Sequence, residues 1–367
     1  MPVPARTPGL LVPRRPPGGG PGQDRRSASR LPSIGRVPLR RQPLLPAASR
    51  SGRARSRTEP RAGGGSLPRS PPATQERKGA AMSLLASLLL LTSLAAAGGP
   101  TLAPTTITQG ALGRVIYPVP EGRLVANAVL QVAGNTLPCF QQEDRLIALF
   151  AVPVQTPPGR QTATLLVRYA DGSREHFPLG FTVASGTFPT QRIRMPKSKT
   201  GLMSSTILAK ERQILYGAMK KTAAVPQWEG VFANPLEGRI SSPFGRKRYV
   251  NGRFWGQHAG RDVAAPTGRP VQATNSGTVL VAQKLWMRGN TVMIDHGLGV
   301  FSLYCHLSQI GVKVGQSVRK GEVIGRVGAT GFVTGPHLHW EIRVQRTPVN
   351  PAGPLREGIA LGLPGGP

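Results

Sequence analysis

Between residues 101 and 187 the chain alternates short runs of apolar side chains with turn residues. Three of these runs have the length of a β-strand and are rich in Val, Leu, Ile and Ala: residues 123–132, 146–152 and 163–169. Pro157-Pro158-Gly159 and the stretch 170–173 are typical turn sequences between them. Several short strands at this spacing predict a β-sandwich-like domain over residues 101–187.

Residues 188–235 have a different pattern, which is basic and in part helical. From Ser204 to Thr222 the apolar positions recur at helical spacing: Ile207, Leu208, Ile214, Leu215 and Met219. Spacings of four and seven are typical of one face of an amphipathic helix. We therefore predict a basic connector with one helix, and we expect this helix to pack between the two flanking domains, with an exposed charged linker helix as the alternative.

Residues 236–352 return to strand-like runs separated by glycine-based turns, which predicts a second, mainly β domain. The clearest alternation covers residues 337–344. Polar side chains take one face of this predicted strand and apolar ones the other: His337, His339, Glu341 and Arg343 against Leu338, Trp340, Ile342 and Val344. The apolar face is expected to pack on the core, which leaves the histidines facing a site.

The C-terminal stretch of the chain is rich in Gly and Pro, so we expect a disordered tail at residues 353–367.

An uncharged apolar run covers residues 83–97 and directly follows Met82. It ends in Ala95-Ala96-Ala97, a small-residue cleavage pattern, and it is too short for a comfortable membrane span. We therefore expect a signal peptide at residues 82–97 and no stable membrane span. The expected location is the periplasm, the cell envelope or the extracellular space.

Residues 1–81 contain 15 prolines of the 37 in the chain, and 17 Lys+Arg against 3 Asp+Glu. Such a segment cannot bury enough apolar surface to offset the entropy lost on ordering, so we expect it to be disordered. Signal peptides begin at the N-terminus. Our hypothesis is therefore that translation starts near Met82 and that residues 1–81 come from a misassigned start.

The formal net charge of +31 favours anionic partners, such as cell-wall polymers, a membrane surface or nucleic acid. A solvated basic surface without a dedicated partner explains the charge equally well. No nucleic-acid-binding motif stands out, so nucleic acid is not an expected partner. Anionic cell-wall polymers are the partner that we retain.

The two cysteines, Cys139 and Cys305, are too few for a disulfide framework or a cysteine zinc site. We interpret them as small buried apolar residues, with a single disulfide as the alternative in an exported protein. Cys305 precedes His306, which could suggest a thiol nucleophile. Neighbours on a strand point to opposite faces, so we expect Cys305 to face the core and His306 the site.

Two short segments carry residues that could bind a divalent metal. His258 and Asp262 lie four apart in His-Ala-Gly-Arg-Asp, and His337 and His339 lie two apart in Pro-His-Leu-His-Trp. If both segments are extended, each pair shares one face. Two imidazoles and a carboxylate suit zinc, and three protein ligands leave a fourth position for water, as in catalytic sites. His306 is a further histidine that could move protons there.

Residues 236–352, about a third of the chain, resemble the catalytic domain of the lysostaphin/LytM-type zinc metallopeptidases, which are bacterial cell-wall endopeptidases. The matching stretches follow one another closely: 241–245, 258–268, 289–292, 294–297, 304–308, 321–325 and 335–341. The resemblance implies that His258, Asp262 and His339 bind one zinc ion per chain. It also implies that His306 and His337 act in catalysis. All five positions hold the expected residue.

The function implied by this resemblance is that of an exported zinc metalloendopeptidase, which hydrolyses peptide bonds in peptidoglycan with water activated by the metal. Which of His306 and His337 is the general base stays open. One alternative is a metal-binding module that binds the cell wall or activates an amidase, with little hydrolysis of its own. Residues 312–325 also resemble the half-barrel of biotinyl and lipoyl carriers, but no lysine stands at a suitable hairpin tip.

Overall fold

The computed structural model describes residues 98–361. The predicted disordered segment at residues 1–81 and the predicted signal peptide at 82–97 lie outside the described residues, as do residues 362–367. The described part is mainly β, with strands on both sides of a short helical region. The predicted fold class is confirmed.

Nine strands lie between residues 101 and 184: β1 (Thr101–Ala103), β2 (Thr106–Thr108), β3 (Leu112–Pro118), β4 (Val125–Val132), β5 (Asn135–Pro138), β6 (Phe140–Gln142), β7 (Arg145–Ala151), β8 (Gly159–Tyr169) and β9 (Arg174–Ala184). They form a four-stranded sheet, β1-β3-β7-β6, and a five-stranded sheet, β2-β9-β8-β4-β5. Leu130, Phe150 and Leu165 come from both sheets and share one buried cluster. The two sheets therefore pack face to face around a common core, as in a sandwich.

Residues 188–235 contain β10 (Thr190–Ile193), α1 (Lys197–Thr200), a 3₁₀ turn (Gly201–Met203) and α2 (Ser205–Met219). Helix α2 corresponds to the predicted helix. Strand β10 and the short helical turns before α2 are additional to the prediction. The buried residues of α2 are Glu211, Leu215 and Met219, spaced by four, so one face of the helix is covered.

The C-terminal elements are β11 (Arg239–Ser242), β12 (Lys247–Val250), β13 (Arg253–Gln257), β14 (Arg261–Ala264), β15 (Pro270–Gln272), β16 (Gly277–Leu285), β17 (Gly289–Gly297), β18 (Val300–Leu307), β19 (Gln309–Ile310), β20 (Ser317–Val318), β21 (Val323–Arg326), β22 (His337–Val344), β23 (Thr347–Val349) and α3 (Ala352–Glu357). The largest sheet is antiparallel, in the order β11-β14-β22-β18-β17-β16-β20, with β23 beside β22. Two small sheets, β15-β21-β19 and β10-β12-β13, flank it. Strand β10 thus joins the connector to the C-terminal sheets.

Helix α2 covers one face of the large sheet. Leu215 and Met219 pack with Phe301, Leu303 and Cys305 of β18. The alternate residues of β18 face a second core, so this strand is buried on both sides. The helix was expected to pack between the two β domains, but its buried side chains contact the large sheet instead.

Strand β7 connects the sandwich to the C-terminal sheet. Leu146 and Phe150 lie in the sandwich core, whereas Ile147 and Leu149 lie in the core beneath the large sheet. Successive side chains of a strand point to opposite faces, so one apolar run serves two cores. This explains why every residue of β7 after Arg145 is buried.

Residues 353–361 are ordered, and the predicted disordered tail is wrong for this stretch. Helix α3 covers Ala352–Glu357, and Ile359 and Leu361 are buried in the core beneath the large sheet. Leu355 packs against the same core. The Gly- and Pro-rich composition suggested disorder, but three apolar side chains bury enough surface here to anchor the chain.

The two cysteines are unpaired, and both pack among apolar side chains. Their interpretation as small apolar residues is therefore retained, and the alternative of a disulfide between them is not. Among residues 98–361, no helix combines the length and the apolar character that crossing a bilayer requires.

Candidate active site

Strand β22 supplies two of the five predicted site residues. Its side chains alternate as the sequence predicts: Leu338 and Trp340 lie in the core, and His337 and His339 line a cleft. The neighbouring strand β14 places Asp262 directly opposite His339 in the antiparallel ladder. Side chains of directly paired residues lie on the same face of a sheet, so the carboxylate and the imidazole are neighbours.

His258 reaches the same point from a turn. The spacing of the candidate ligands favours one extended segment from His258 to Asp262, but β13 ends at Gln257 and β14 begins only at Arg261. The intervening turn brings His258 Nε2 to 2.9 Å from Asp262 Oδ1. The two side chains therefore converge, although the geometry differs from the predicted strand.

Gly260 lies in this turn, between two of the candidate metal ligands. From this position alone, we would expect it to be small so that the chain can approach metal or substrate. A Cβ atom at Gly260 would instead meet the backbone carbonyl of Trp340. The glycine is therefore needed for the close approach of the turn to β22.

Three electron-pair donors converge at the centre of the site: His258 Nε2, Asp262 Oδ1 and His339 Nδ1. The distances are 2.9 Å from His258 to Asp262, 2.7 Å from His339 to Asp262, and 2.9 Å between the two ring nitrogens. All three side chains are buried. Lone pairs this close together need a proton or a cation between them. Two imidazoles and a carboxylate are a donor set that zinc accepts, so the residues fit such an ion.

The other ring nitrogen of each imidazole is held by an acceptor. His258 Nδ1 lies 2.9 Å from the carbonyl oxygen of Pro243, and His339 Nε2 lies 3.0 Å from Glu341 Oε1. Carbonyl and carboxylate oxygens only accept, so the ring N–H donates in both cases. This selects the tautomers that leave His258 Nε2 and His339 Nδ1 free for a metal.

Asp262 is held by its second oxygen. Arg248 donates to Asp262 Oδ2, and the same guanidinium lies 3.3 Å from Gln191 Oε1 and from Ser242 Oγ. Burial by itself would raise the pKa of Asp262. In the metal-free protein, the interactions with the adjacent His258 and His339 rings outweigh burial and hold that pKa well below its ordinary value, so the carboxylate is charged.

His306 and His337 stand beside this group, with their ring centroids 5.0 Å apart. Each donates its Nδ1–H to a backbone carbonyl at 2.9 Å, His306 to Thr330 and His337 to Gly335. Both neutral rings therefore keep an unprotonated Nε2. His337 Nε2 lies 3.8 Å from Asp262 Oδ1.

Burial sets the protonation state of most of these histidines. It lowers the pKa of His258 to about 4, and it lowers the pKa of His306 and His337 as well. For His339, hydrogen bonds to Asp262 and Glu341 outweigh burial and raise the pKa. Near neutral pH, His258, His306 and His337 are thus neutral and can donate an electron pair to a metal or accept a proton.

All five residues line one open cleft of about 430 Å³. Trp255 and Phe332 contribute aromatic rings to it, with centroids 6.1 Å apart. Gln191, Ile193 and Met195 of the connector also line it. The connector therefore forms part of the wall that a substrate would meet.

Sequence reasoning missed three residues that hold the site in place. Glu341 had a signal, because it lies on the polar face of the alternating strand β22. Arg248 and Gln191 had none. Arg248 contacts Asp262, and Gln191 contacts Arg248, only after β10, β12 and β14 have come together.

Comparison with known proteins defines the class of the C-terminal domain. Residues 256–351 match the family model of peptidase family M23. This part of the chain is an M23 domain, and its resemblance to the lysostaphin/LytM-type peptidases is confirmed.

Two curated relatives are similar over the same region. The DD-carboxypeptidase/endopeptidase Mpg of Neisseria meningitidis is 50% identical over 113 residues, which are 31% of this chain and 26% of Mpg. The peptidoglycan DD-endopeptidase ShyB of Vibrio cholerae is 44% identical over 114 residues, which are 30% of this chain and 26% of ShyB. The chain thus spans about a quarter of the length of these relatives.

Among solved structures, an M23 peptidase from Pseudomonas aeruginosa is 28% identical. The match covers 69% of this chain and 96% of that one, with a TM-score of 0.49.

Proposed function

We propose that the protein is an exported zinc metalloendopeptidase that hydrolyses peptide bonds in peptidoglycan. The observation that carries this proposal is the convergence of His258, Asp262 and His339 beside two neutral histidines in an open cleft. The M23 domain and the relatives that are named as DD-endopeptidases support the substrate class.

His258 Nε2, Asp262 Oδ1 and His339 Nδ1 would hold one zinc ion. When bound, zinc would supply Lewis-acid polarisation of the scissile carbonyl and a more acidic water. The chain's own residues then move the protons. His337 accepts the proton of the attacking water at Nε2, which is unprotonated because Nδ1–H donates to the carbonyl oxygen of Gly335.

His306 orients the attacking water by accepting its second hydrogen at Nε2, which is free because Nδ1–H donates to Thr330. As the carbon–nitrogen bond breaks, protonated His337 returns its proton to the leaving amine nitrogen. The net reaction adds one water molecule across the peptide bond. His337 is therefore the proposed general base, and His306 the residue that positions the water.

Charge distribution supports anionic wall polymers as an additional partner. Residues 101–187 contain 6 Lys+Arg and 5 Asp+Glu, whereas residues 188–361 contain 24 and 8. Between residues 101 and 361, the positive charge is therefore concentrated in the part that carries the site. Binding to purified cell walls should weaken as salt is added, because screening reduces attraction between exposed charges. Binding that does not depend on salt would contradict this part of the proposal.

A pair of histidine variants tests the function. The change His339→Ala removes a zinc ligand, and we expect loss of both bound zinc and peptidoglycan cleavage. The matched control is His176→Ala, at an exposed position of β9, which should retain both. Zinc is measured by metal analysis and cleavage by mass spectrometry of the digestion products. A wild-type protein that holds zinc but leaves peptidoglycan intact would contradict the proposal and favour the wall-binding or amidase-activating module.

A further inference from the structure

The connector helix α2 buries a carboxylate on its apolar face. Glu211 has no exposed surface and lies one helical turn before Leu215, which packs on the large sheet. A buried carboxylate without partners is strongly unfavourable, so its contacts need an explanation. They lead to the candidate active site.

Glu211 fixes the turn between β16 and β17. Its Oε1 accepts the backbone N–H of Met287 and lies 3.4 Å from the backbone nitrogen of Arg288. Its Oε2 accepts a hydrogen bond of 3.0 Å from the Arg288 guanidinium. One side chain of the connector thus holds both the backbone and the side chain of Arg288.

Arg288 extends this contact to a proposed metal ligand. Its second terminal nitrogen lies 3.4 Å from Glu341 Oε1, the same oxygen that accepts the Nε2–H of His339 at 3.0 Å. The other oxygen of Glu341 accepts a 2.6 Å hydrogen bond from Arg343. Glu211, Arg288, Glu341 and Arg343 together carry two negative and two positive charges, so this buried network is balanced.

Arg288 also reaches the proposed water-positioning residue. Its backbone carbonyl accepts the N–H of His306 at 2.8 Å. His306 has a φ of +65°, a conformation that favours glycine, so its backbone depends on such external contacts. Fixing the Met287–Arg288 turn therefore helps to fix His306.

The geometry points to Glu211 as a positioning residue that couples the docked connector helix to His339 and His306. This inference rests on the proposed zinc site, and it adds a residue that lies outside the matched M23 region, residues 256–351. Glu211 shares the Arg288 guanidinium with Glu341. Without the charge of Glu211, Arg288 binds Glu341 alone, and Glu341 becomes a weaker acceptor for His339.

The test uses Glu211→Gln in the full chain, which keeps the size of the side chain and removes its charge. We expect the zinc dissociation constant, measured by competition with a chelator, to rise about tenfold, the lower end of the range for residues that hold a metal ligand. The control is Arg212→Gln, at the neighbouring exposed position of α2, which should bind zinc like the wild type. A Glu211→Gln protein with wild-type zinc affinity would overturn the inference.

A double-variant cycle separates positioning from general stability. Glu211→Gln and Glu341→Gln act on the same imidazole, so their combined effect on zinc affinity should be smaller than the product of the single effects. Multiplicative effects would contradict the coupling.

A second variant covers the case in which Glu211→Gln does not fold. Glu211→Asp retains the charge on a shorter side chain, and we expect it to lose less zinc affinity than Glu211→Gln. A folded Glu211→Asp with unchanged affinity would count against the role.

A metal-free measurement keeps this inference distinct from the zinc proposal. Ring ¹⁵N NMR of the apoprotein reports the Nε2–H of His339 and its hydrogen bond. Glu211→Gln should shift the ring signals of His339 and His306, whereas Arg212→Gln should not. If the wild type binds no zinc, the proposed function fails, but the NMR comparison still decides the coupling. Unchanged ring signals in Glu211→Gln would contradict it.

Discussion

At the scale of single residues, hydrogen bonds from the other ring nitrogen of each histidine determine which nitrogen faces the candidate metal site. His258 presents Nε2 because Nδ1–H donates to Pro243, and His339 presents Nδ1 because Nε2–H donates to Glu341. The two imidazoles thus use different nitrogens, and each choice follows from one acceptor. Residues that do not contact the metal can therefore control the affinity of the site for it.

Arg248 provides a test at this scale. The change Arg248→Gln removes the cation that holds Asp262 Oδ2, and we expect zinc affinity to fall about tenfold, as is typical when the support of a metal ligand is lost. Competition with a chelator measures it. Arg253→Gln, at an exposed position of the adjacent strand β13, is the matched control and should bind zinc like the wild type. Equal affinity in both variants would rule out this role of Arg248.

At the scale of elements, the alternation of β22 is the feature that the sequence predicts best. Its period of two assigns the histidines and the apolar residues to opposite faces without knowledge of any other strand. The pairing of β14 with β22 depends on the whole sheet, and no local pattern predicts it. The same holds for β10, which lines the cleft as part of the connector.

Gly260, in the turn before β14, lies close to the backbone of β22, and this close packing can be tested. In Gly260→Ala the added methyl group would meet the Trp340 carbonyl, so the turn must move away from β22. We expect a loss of about 1–3 kcal/mol in the free energy of unfolding and weaker zinc binding. Gly217→Ala, on an exposed part of α2 with no atom near the new Cβ, should be neutral or stabilising. Denaturant unfolding measures the stability of both variants. Equal stability of Gly260→Ala and Gly217→Ala would contradict the close approach of Gly260 to Trp340.

The ordered C-terminal stretch can be tested in the same way. Ile359→Ala removes a side chain that is 4% exposed in the core, so we expect the free energy of unfolding to fall by about 2 kcal/mol. Val314→Ala truncates an exposed side chain and should change stability by less than about 0.5 kcal/mol. If Ile359→Ala is as stable as Val314→Ala, residues 358–361 are not anchored as described.

At the scale of the whole molecule, two cores share strand β7, and helix α2 covers the large sheet. The strand-rich halves and the helix between them follow from hydrophobic periodicity, so the sequence predicts them. Buried polar contacts between distant segments have no periodic signal. Glu211 illustrates this, because it occupies a position on the apolar stripe of α2 and is explained only by its contacts with Met287 and Arg288.

Buried histidines also make the stability of the metal-free protein depend on pH. Burial lowers the pKa of His258 and of His296 to about 4, from an ordinary value of 6.5. Between these values the unfolded chain binds more protons than the folded one, so stability must fall as the pH falls. As the pH falls from 6.5 to 4, we expect each of these two histidines to lower the free energy of unfolding by roughly 3 kcal/mol. Above pH 6.5 the raised pKa of His339 acts in the opposite sense, because its stabilising contribution is lost as the pH rises. Denaturant unfolding of the apoprotein measures this, and a flat profile in that window would refute it.

We propose that His258, Asp262 and His339, beside His306 and His337, form a zinc endopeptidase site for peptidoglycan. Purified cross-linked muropeptides incubated with the zinc-loaded protein test this proposal, with the products identified by mass spectrometry. We expect fragments cut at a peptide bond, with one water molecule added at each cleavage. Cleavage should stop when zinc is removed and recover when zinc is returned. Intact muropeptides with the zinc-loaded protein, or equal cleavage by His339→Ala, would contradict it.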